Sequence, residues 1–261
     1  MSEANPAISK NPPRRKRVGL LATCLIDTFR PNAGFASVVL LEQAGFSVDV
    51  PVQGCCGQPN FNGGDEKGAQ QMARAVIKTF SDFDYVVVPS SSCAAMIRVH
   101  YPDLFPDDDE VAAMAVALAE KTWELTSFLV EIAKVDALDV EMDATVVLHD
   151  SCSGLRELGI REQPRALLGR IRGLQLKELA NPEVCCGFGG TFCVKYPDIS
   201  ARIAENKIAD LQAAGRCDAL VSTDLGCLMH LGGTLHREGS TLQILHIAEV
   251  LAGMTGSEDS D

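Results

Sequence analysis

The sequence predicts an α/β protein of two pseudo-symmetric lobes. Each lobe is expected to hold a small parallel sheet flanked by helices, with cysteine-bearing loops meeting at a shared cleft. Three observations carry this expectation. Short apolar, strand-like runs alternate with amphipathic, helix-like stretches. The alternation occurs twice, with the same order of elements each time. Eight of the ten cysteines fall at matched places in the two copies.

Residues 1–15 are polar and proline-bearing and read as a flexible tail. The first lobe is expected over 16–106. RVGLLATC is an apolar strand ending at Cys24, PNAGFASVVLLEQAG a helix closed by Gly45, and FSVDVPV a second strand. GCCGQPNFNGG is a glycine-rich loop, AQQMARAVIKTF an amphipathic helix, and DYVVVPSSSC a buried strand ending in a loop at Cys93. Residues 107–142 read as a linker of one or two helices around Trp123, opened by a run of acids that favours a helix start. The second lobe is expected over 143–250. Its elements are the strand ATVVLHDSC, the helix REQPRALLGRI, the strand LQLKELA and the loop VCCGFGGTFC. SARIAENKIADLQAAG is then a helix, CDALVSTDLGC a strand and loop, and TLQILHIAEVLAG a final helix. Residues 251–261 form an acidic tail.

The cysteine spacings match. Cys24 precedes Cys55 by 31 positions and Cys152 precedes Cys185 by 33. Cys56 precedes Cys93 by 37 and Cys186 precedes Cys227 by 41. Each copy therefore places one thiol at the end of its first strand, two in the glycine loop and one at the end of its last strand. In a parallel layer these points converge at one sheet edge, and four thiolates at one point suit a soft metal or an iron–sulfur cluster. Gly57, Gly187, Gly189 and Gly190 give such a loop positive φ angles, close backbone approach and free N–H donors. Buried structural cysteines are the bland reading of one CCG triplet, but eight at matched spacing argue against it. Structural zinc usually uses CxxC knuckles, and no CxxC occurs.

Composition bounds the rest. The chain has 261 residues, 46% of them hydrophobic, enough for a real core, and a net charge of −12, which argues against a nucleic-acid partner. No secretory signal and no membrane-length apolar run is visible, so the expected location is cytoplasmic, or peripheral to the inner membrane through partners. In that compartment ten cysteines point to metal or redox chemistry rather than disulfides. No GxGxxG fingerprint marks a nicotinamide site.

Two copies of Cys–CCG–Cys resemble the CCG cysteine-rich domain family, which includes the cysteine-rich component of heterodisulfide reductase and the glycolate oxidase iron–sulfur subunit. VVLHDSCSGLRELGI, EVCCGFGGTFCVKYPDIS, SSSCAAM and DLGCLMH resemble its lactate-utilization branch. The resemblance covers roughly 16–250. It implies an iron–sulfur electron-transfer subunit of an L-lactate or other 2-hydroxy acid oxidising complex, an NAD-independent lactate dehydrogenase, passing electrons toward the respiratory chain. The implied cofactor is a [4Fe–4S] cluster, one or two per chain. The implied partners are a ferredoxin-type iron–sulfur protein and a third small subunit, lactate utilization proteins B and C.

The expected metal ligands are Cys24, Cys55, Cys56 and Cys93 in one set, and Cys152, Cys185, Cys186 and Cys227 in the other. The second set is the better candidate for a bound cluster. In the heterodisulfide reductase component a CxxC closes each motif. Here Met96 and His230 replace the fifth thiolate, leaving four per site. His230 and Cys193 are candidate extra ligands, with core packing as the alternative for Met96. His149, Asp150 and Cys193 are the candidate catalytic residues. Arg156, Arg161 and Lys195 could hold a carboxylate or offset cluster charge, and Cys217 reads as a packing residue. The alternative functions are a cluster-dependent thiol or heterodisulfide reductase and a zinc-bound scaffold subunit.

Overall fold

The computed structural model describes residues 14–256. The expected tail at 1–15 falls mostly outside the described residues, as does the acidic end from 257 onward.

Two four-stranded parallel sheets form. The first runs β2-β1-β3-β4, with β1 Arg17–Leu20, β2 Ser47–Asp49, β3 Tyr85–Val88 and β4 Thr122–Glu124. The second runs β6-β5-β7-β8, with β5 Thr145–His149, β6 Gln175–Lys177, β7 Ala219–Ser222 and β8 Gln243–His246. The central strands carry unbroken apolar runs because helices cover both of their faces. Parallel neighbours need crossovers, and the helices Pro31–Gln43, Glu66–Phe80, Pro197–Ala213 and Leu225–Arg237 supply them. Asp65 starts Glu66–Phe80 by accepting the Gly68 N–H at 3.0 Å. Gly45 and Gly215, at φ 93° and 80°, follow the ends of Pro31–Gln43 and Pro197–Ala213.

The two sheets correspond in register. Val18 pairs with Tyr85 as Val146 pairs with Ala219, and Leu20 with Val87 as Leu148 with Val221. Leu21 and His149 are therefore equivalent, each three residues before the first cysteine of its set.

Two expectations change. The stretch 107–142 forms the helix Asp109–Lys121, then β4, then the helical turns Leu125–Ser127 and Phe128–Ile132. TLQILHIAEVLAG forms β8 before the helix Ile247–Leu251, rather than one helix. A strand of three or four residues shows little period-two signal, and here each runs directly into a helix with no glycine or proline between. These missed strands are the fourth strand of each sheet. Each ends in a side chain that caps the next helix. Glu124 accepts the N–H groups of Thr126 at 2.8 Å and Ser127 at 3.0 Å, and His246 Nδ1 accepts that of Ala248 at 3.2 Å.

One apolar core crosses both lobes, joining Val18, Leu20, Val87 and Phe128 to Val146, Leu148, Val221 and Ile247. Arg30 reaches from the first lobe to both carboxylate oxygens of Glu249, at 2.8 and 2.9 Å, and His246 Nε2 lies 2.9 Å from the Pro89 carbonyl oxygen. No helix among the described residues is long and apolar enough to cross a membrane.

Candidate metal centre

Both cysteine sets sit at the carboxyl edges of their sheets. β1 stops at Leu20, so Cys24 opens the helix Cys24–Phe29 rather than ending the strand, and Cys152 likewise opens Cys152–Arg156. The CCG loops follow β2 and β6. Cys93 and Cys227 lie in helices that follow β3 and β7. Cys56 and Cys93 bring their sulfurs to 3.2 Å, and Cys186 and Cys227 to 2.9 Å. These distances exceed a disulfide bond, and all ten cysteines are free.

The glycine after each pair turns the loop with a left-handed backbone. Gly57 has φ 84° and Gly187 φ 89°. Their N–H groups point back at the first sulfur of each pair, at 3.4 Å for Cys55 and 3.3 Å for Cys185. A Cβ on Gly187 would lie 2.5 Å from the Ser200 carbonyl oxygen, so no side chain fits. Phe188 adds an N–H 3.5 Å from the Cys186 sulfur.

The thiols within a set share protons. Hydrogen bonding from Cys24, then from Cys56, holds the Cys55 thiol far below its ordinary value, and Cys152 then Cys186 do the same for Cys185. The donors Cys24 and Cys152 are pushed up by those same bonds and then by burial.

The surroundings differ between the sets. His149 is buried, and one of its ring nitrogens lies with the Cys186 and Cys227 sulfurs in a group whose atoms are all within 4.8 Å of one another. Neither ring nitrogen has a hydrogen-bond partner among the described residues, and burial followed by the Lys207 charge pushes its pKa down to about 3. The first set has Leu21 there, fully buried. Lys207 is buried too, donating to the carbonyl oxygens of Asn181 at 3.0 Å and Pro182 at 3.2 Å. Gly57 packs on Ala69 as Gly187 packs on Ser200, which aligns the two following helices and makes buried Val76 the counterpart of Lys207.

The first set faces the cleft between the lobes. A cavity of about 250 Å³ is lined by Cys24, Cys55, Cys56 and Cys93 on one side and by Phe188, Gly190, Thr191 and Val194 on the other. The second lobe's glycine loop therefore roofs the first lobe's thiols, and the Lys195 ammonium donates across to the Gly63 carbonyl oxygen at 3.2 Å. Between the sets, Asp224 accepts the Ser90 hydroxyl at 3.1 Å, the Ser92 N–H at 2.9 Å and the Cys227 N–H at 3.4 Å. One carboxylate thereby ties together the segments that carry both fourth cysteines. Sequence reasoning missed Asp224, Lys207 and Tyr101, whose hydroxyl donates to the Cys56 carbonyl oxygen at 2.8 Å. The DLGC pattern of an acid three residues before a helical cysteine is the one signal that marks a cap.

The remaining candidates from the sequence have other partners. Both Asp150 oxygens are taken by Arg165, at 2.9 and 2.8 Å. Cys193 donates to the Gly190 carbonyl oxygen at 3.1 Å within the roof loop. His230 Nε2 lies 3.1 Å from the Ser200 hydroxyl, a partner outside the sulfur cluster, because the helix carries its ring toward Pro197–Ala213. Met96 is fully buried in the first lobe's outer core. Gly189 packs against Phe192, and Gly190 against Pro59 in the cavity wall. Arg156 donates to the Glu183 carbonyl oxygen at 2.7 Å, and Arg161 forms an exposed pair with Glu162 at 3.8 Å. Cys217 precedes β7 at the opposite edge of the sheet, in a wall of an open 720 Å³ depression.

The donor set fits a soft metal or cluster: four sulfurs per site, backbone N–H groups aimed at sulfur, and no disulfide competing for the thiols.

Comparison with known proteins agrees with the repeat. The cysteine-rich domain (CCG) family profile matches residues 18–98 and again 146–232. The chain is 45% identical over 236 residues to lactate utilization protein A of Geobacillus sp. (strain WCH70), covering 90% of this chain and 98% of that one. It is 44% identical over 236 residues to lactate utilization protein A of Bacillus subtilis (strain 168), with the same coverage. A crystal structure of a hypothetical protein from Helicobacter pylori has the same fold, with a TM-score of 0.67 at 11% identity. The match covers 99% of this chain and 52% of that one, so this chain spans about half of it. With both repeats matched and relatives this similar over nearly its full length, the chain belongs to the cysteine-rich (CCG) domain family.

Proposed function

We propose that both cysteine sets hold iron–sulfur clusters of the [4Fe–4S] type and that the chain is an electron-transfer subunit of a lactate-oxidising assembly. The observation that carries this is the convergence of four free thiols at the same sheet edge in each lobe. The similarity to lactate utilization protein A supports lactate, or a related 2-hydroxy acid, as the electron source. Bound clusters would supply one-electron transfer.

The chain's own residues prepare for that role. Cys24, Cys55, Cys56 and Cys93 would hold one cluster, and Cys152, Cys185, Cys186 and Cys227 the other. Gly57, Gly187 and Phe188 turn N–H groups toward sulfur, which offsets the negative charge of thiolates. Phe188, Thr191 and Val194 cover the first set and limit water there. The partners in this reading are a ferredoxin-type iron–sulfur protein and a small third subunit, corresponding to lactate utilization proteins B and C. They would meet the chain in the cytoplasm or at the inner membrane surface.

Anaerobic purification tests the reading. The full chain should be brown and carry iron and acid-labile sulfide. Mixed with the two partner proteins, it should bleach on addition of L-lactate. A colourless protein with stoichiometric zinc after reconstitution would overturn the cluster assignment, and a brown protein indifferent to lactate would overturn the substrate.

A further inference from the structure

We propose that His149 is a nitrogen ligand of the metal centre held by the second cysteine set. This rests on the reading that the second set binds a metal centre at all.

Three observations lead there. The imidazole belongs to the one group of clustered ligand atoms among the described residues that mixes nitrogen with sulfur, alongside Cys186 and Cys227. It is fully buried at the end of β5, and both ring nitrogens lack a partner among the described residues. Leaving a buried polar group unpaired costs about 1–3 kcal/mol. That cost has no structural purpose at this position, because the equivalent residue, Leu21, fills the same strand end without any polar atom. A metal centre on the neighbouring sulfurs supplies the missing partner.

The donors on offer then differ between the lobes: four sulfurs in the first set, and four sulfurs with one imidazole in the second, where His149 takes one terminal position in place of a thiolate and leaves that thiol protonated. The motif spacing suggests His230 as a fifth donor, but Ser200 and the Phe188 ring occupy its surroundings. His149 comes instead from the end of β5, three residues before Cys152, where no motif spacing points to it. Imidazole in place of sulfide or thiolate makes a centre less negative, so the second site should be reduced more easily than an all-sulfur one.

The test uses the full chain labelled with ¹⁵N-histidine, reconstituted anaerobically with iron and sulfide and reduced with dithionite. Pulsed electron paramagnetic resonance should show the strong ¹⁵N coupling of a bound imidazole. The coupling should vanish in His149→Leu, which copies the first lobe, and persist in His230→Leu. Iron content should hold in His149→Leu, because four thiolates remain, while one midpoint potential falls. Absence of the coupling in the wild-type cluster, or its survival in His149→Leu, overturns the proposal. Loss of the coupling in His230→Leu overturns it too, so the assignment stands on His230→Leu where His149→Leu fails to fold. If no iron binds, the cluster reading fails, and Co²⁺ alone then reads the ligation. A hyperfine-shifted imidazole N–H resonance in wild type, lost in His149→Leu, supports His149 as ligand, and its absence in wild type overturns it.

Discussion

At the second cysteine set, His149 and the ammonium of Lys207 stand where the first set has Leu21 and Val76. The first set has a different distinction. Thr23, just before Cys24, holds φ at 72°, a backbone region that β-branched residues rarely enter, whereas its counterpart Ser151 has φ −68° and caps its helix through Gly154 N–H at 3.1 Å. The scaffold is thus repeated for the thiols and varied around them. Strand ends and positive-φ glycines fix where the sulfurs meet, and the residues one layer back set the charge and polarity that each site experiences. Two matched sets of cysteines need not sit in two equivalent environments.

The strongest way to sharpen this comparison is at the two loop glycines. Gly187→Ala puts a Cβ 2.5 Å from a backbone oxygen at φ 89°. It should cost about 4 kcal/mol or more in chemical denaturation and empty the second set of metal. Gly57→Ala meets its nearest atom only at 3.3 Å, so it should cost about 1–2 kcal/mol and leave the second set loaded.

The outer strand ends form the next comparison. Burial pushes the Glu124 carboxyl up to about 7 and the His246 imidazole down to about 4. Stability from Glu124 is present below its unfolded pKa and is lost as pH rises toward 7. Stability from His246 is present above its unfolded pKa and is lost as pH falls toward 4. Glu124→Gln should therefore remove a decline of order 3 kcal/mol between about pH 4.5 and 7, measured by denaturation across pH. An unchanged profile would show that Glu124 stays ionised.

Asp224 links the two sets. Asp224→Ala should destabilise the fold by about 2–3 kcal/mol and weaken metal retention in both sets, because it leaves the Ser92 and Cys227 N–H groups without their carboxylate. Loss from the second set alone would confine its role to the Cys227 cap.

The smallest expected effect is at Lys207. Lys207→Met should cost about 1–2 kcal/mol, since the buried ammonium leaves with its hydrogen bonds while Asp210 loses a cation 4.0 Å away but keeps its two donors from Asn181. It should still lower the second centre's midpoint potential by tens of millivolts, on the order of the 59 mV that a tenfold change in a one-electron equilibrium represents. The first centre should not move.

Much of this molecule was legible in the sequence. The repeat, the first three strands of each sheet in chain order and the grouping of Cys24 with Cys55, Cys56 and Cys93 follow from periodicity and spacing. β4 and β8 were not legible, because three or four residues abutting a helix carry too little pattern. The positions of His149 and His230 were not resolved either. His149 carries no ligand spacing and reaches the sulfurs through a strand register, whereas His230 has the spacing but a helix turns it to Ser200. Lys207 carries no signal within SARIAENKIADLQAAG, and it is the packing of that helix, with Gly187 against Ser200, that turns its side chain inward.

The most direct measurement is iron and acid-labile sulfide per chain after anaerobic purification, in the wild type and in Cys55→Ser and Cys185→Ser. Two [4Fe–4S] centres give about eight irons in the wild type and about half that in either variant. Wild-type iron near four that Cys55→Ser leaves untouched, or zinc in place of iron, would contradict the account of two cluster-binding sets.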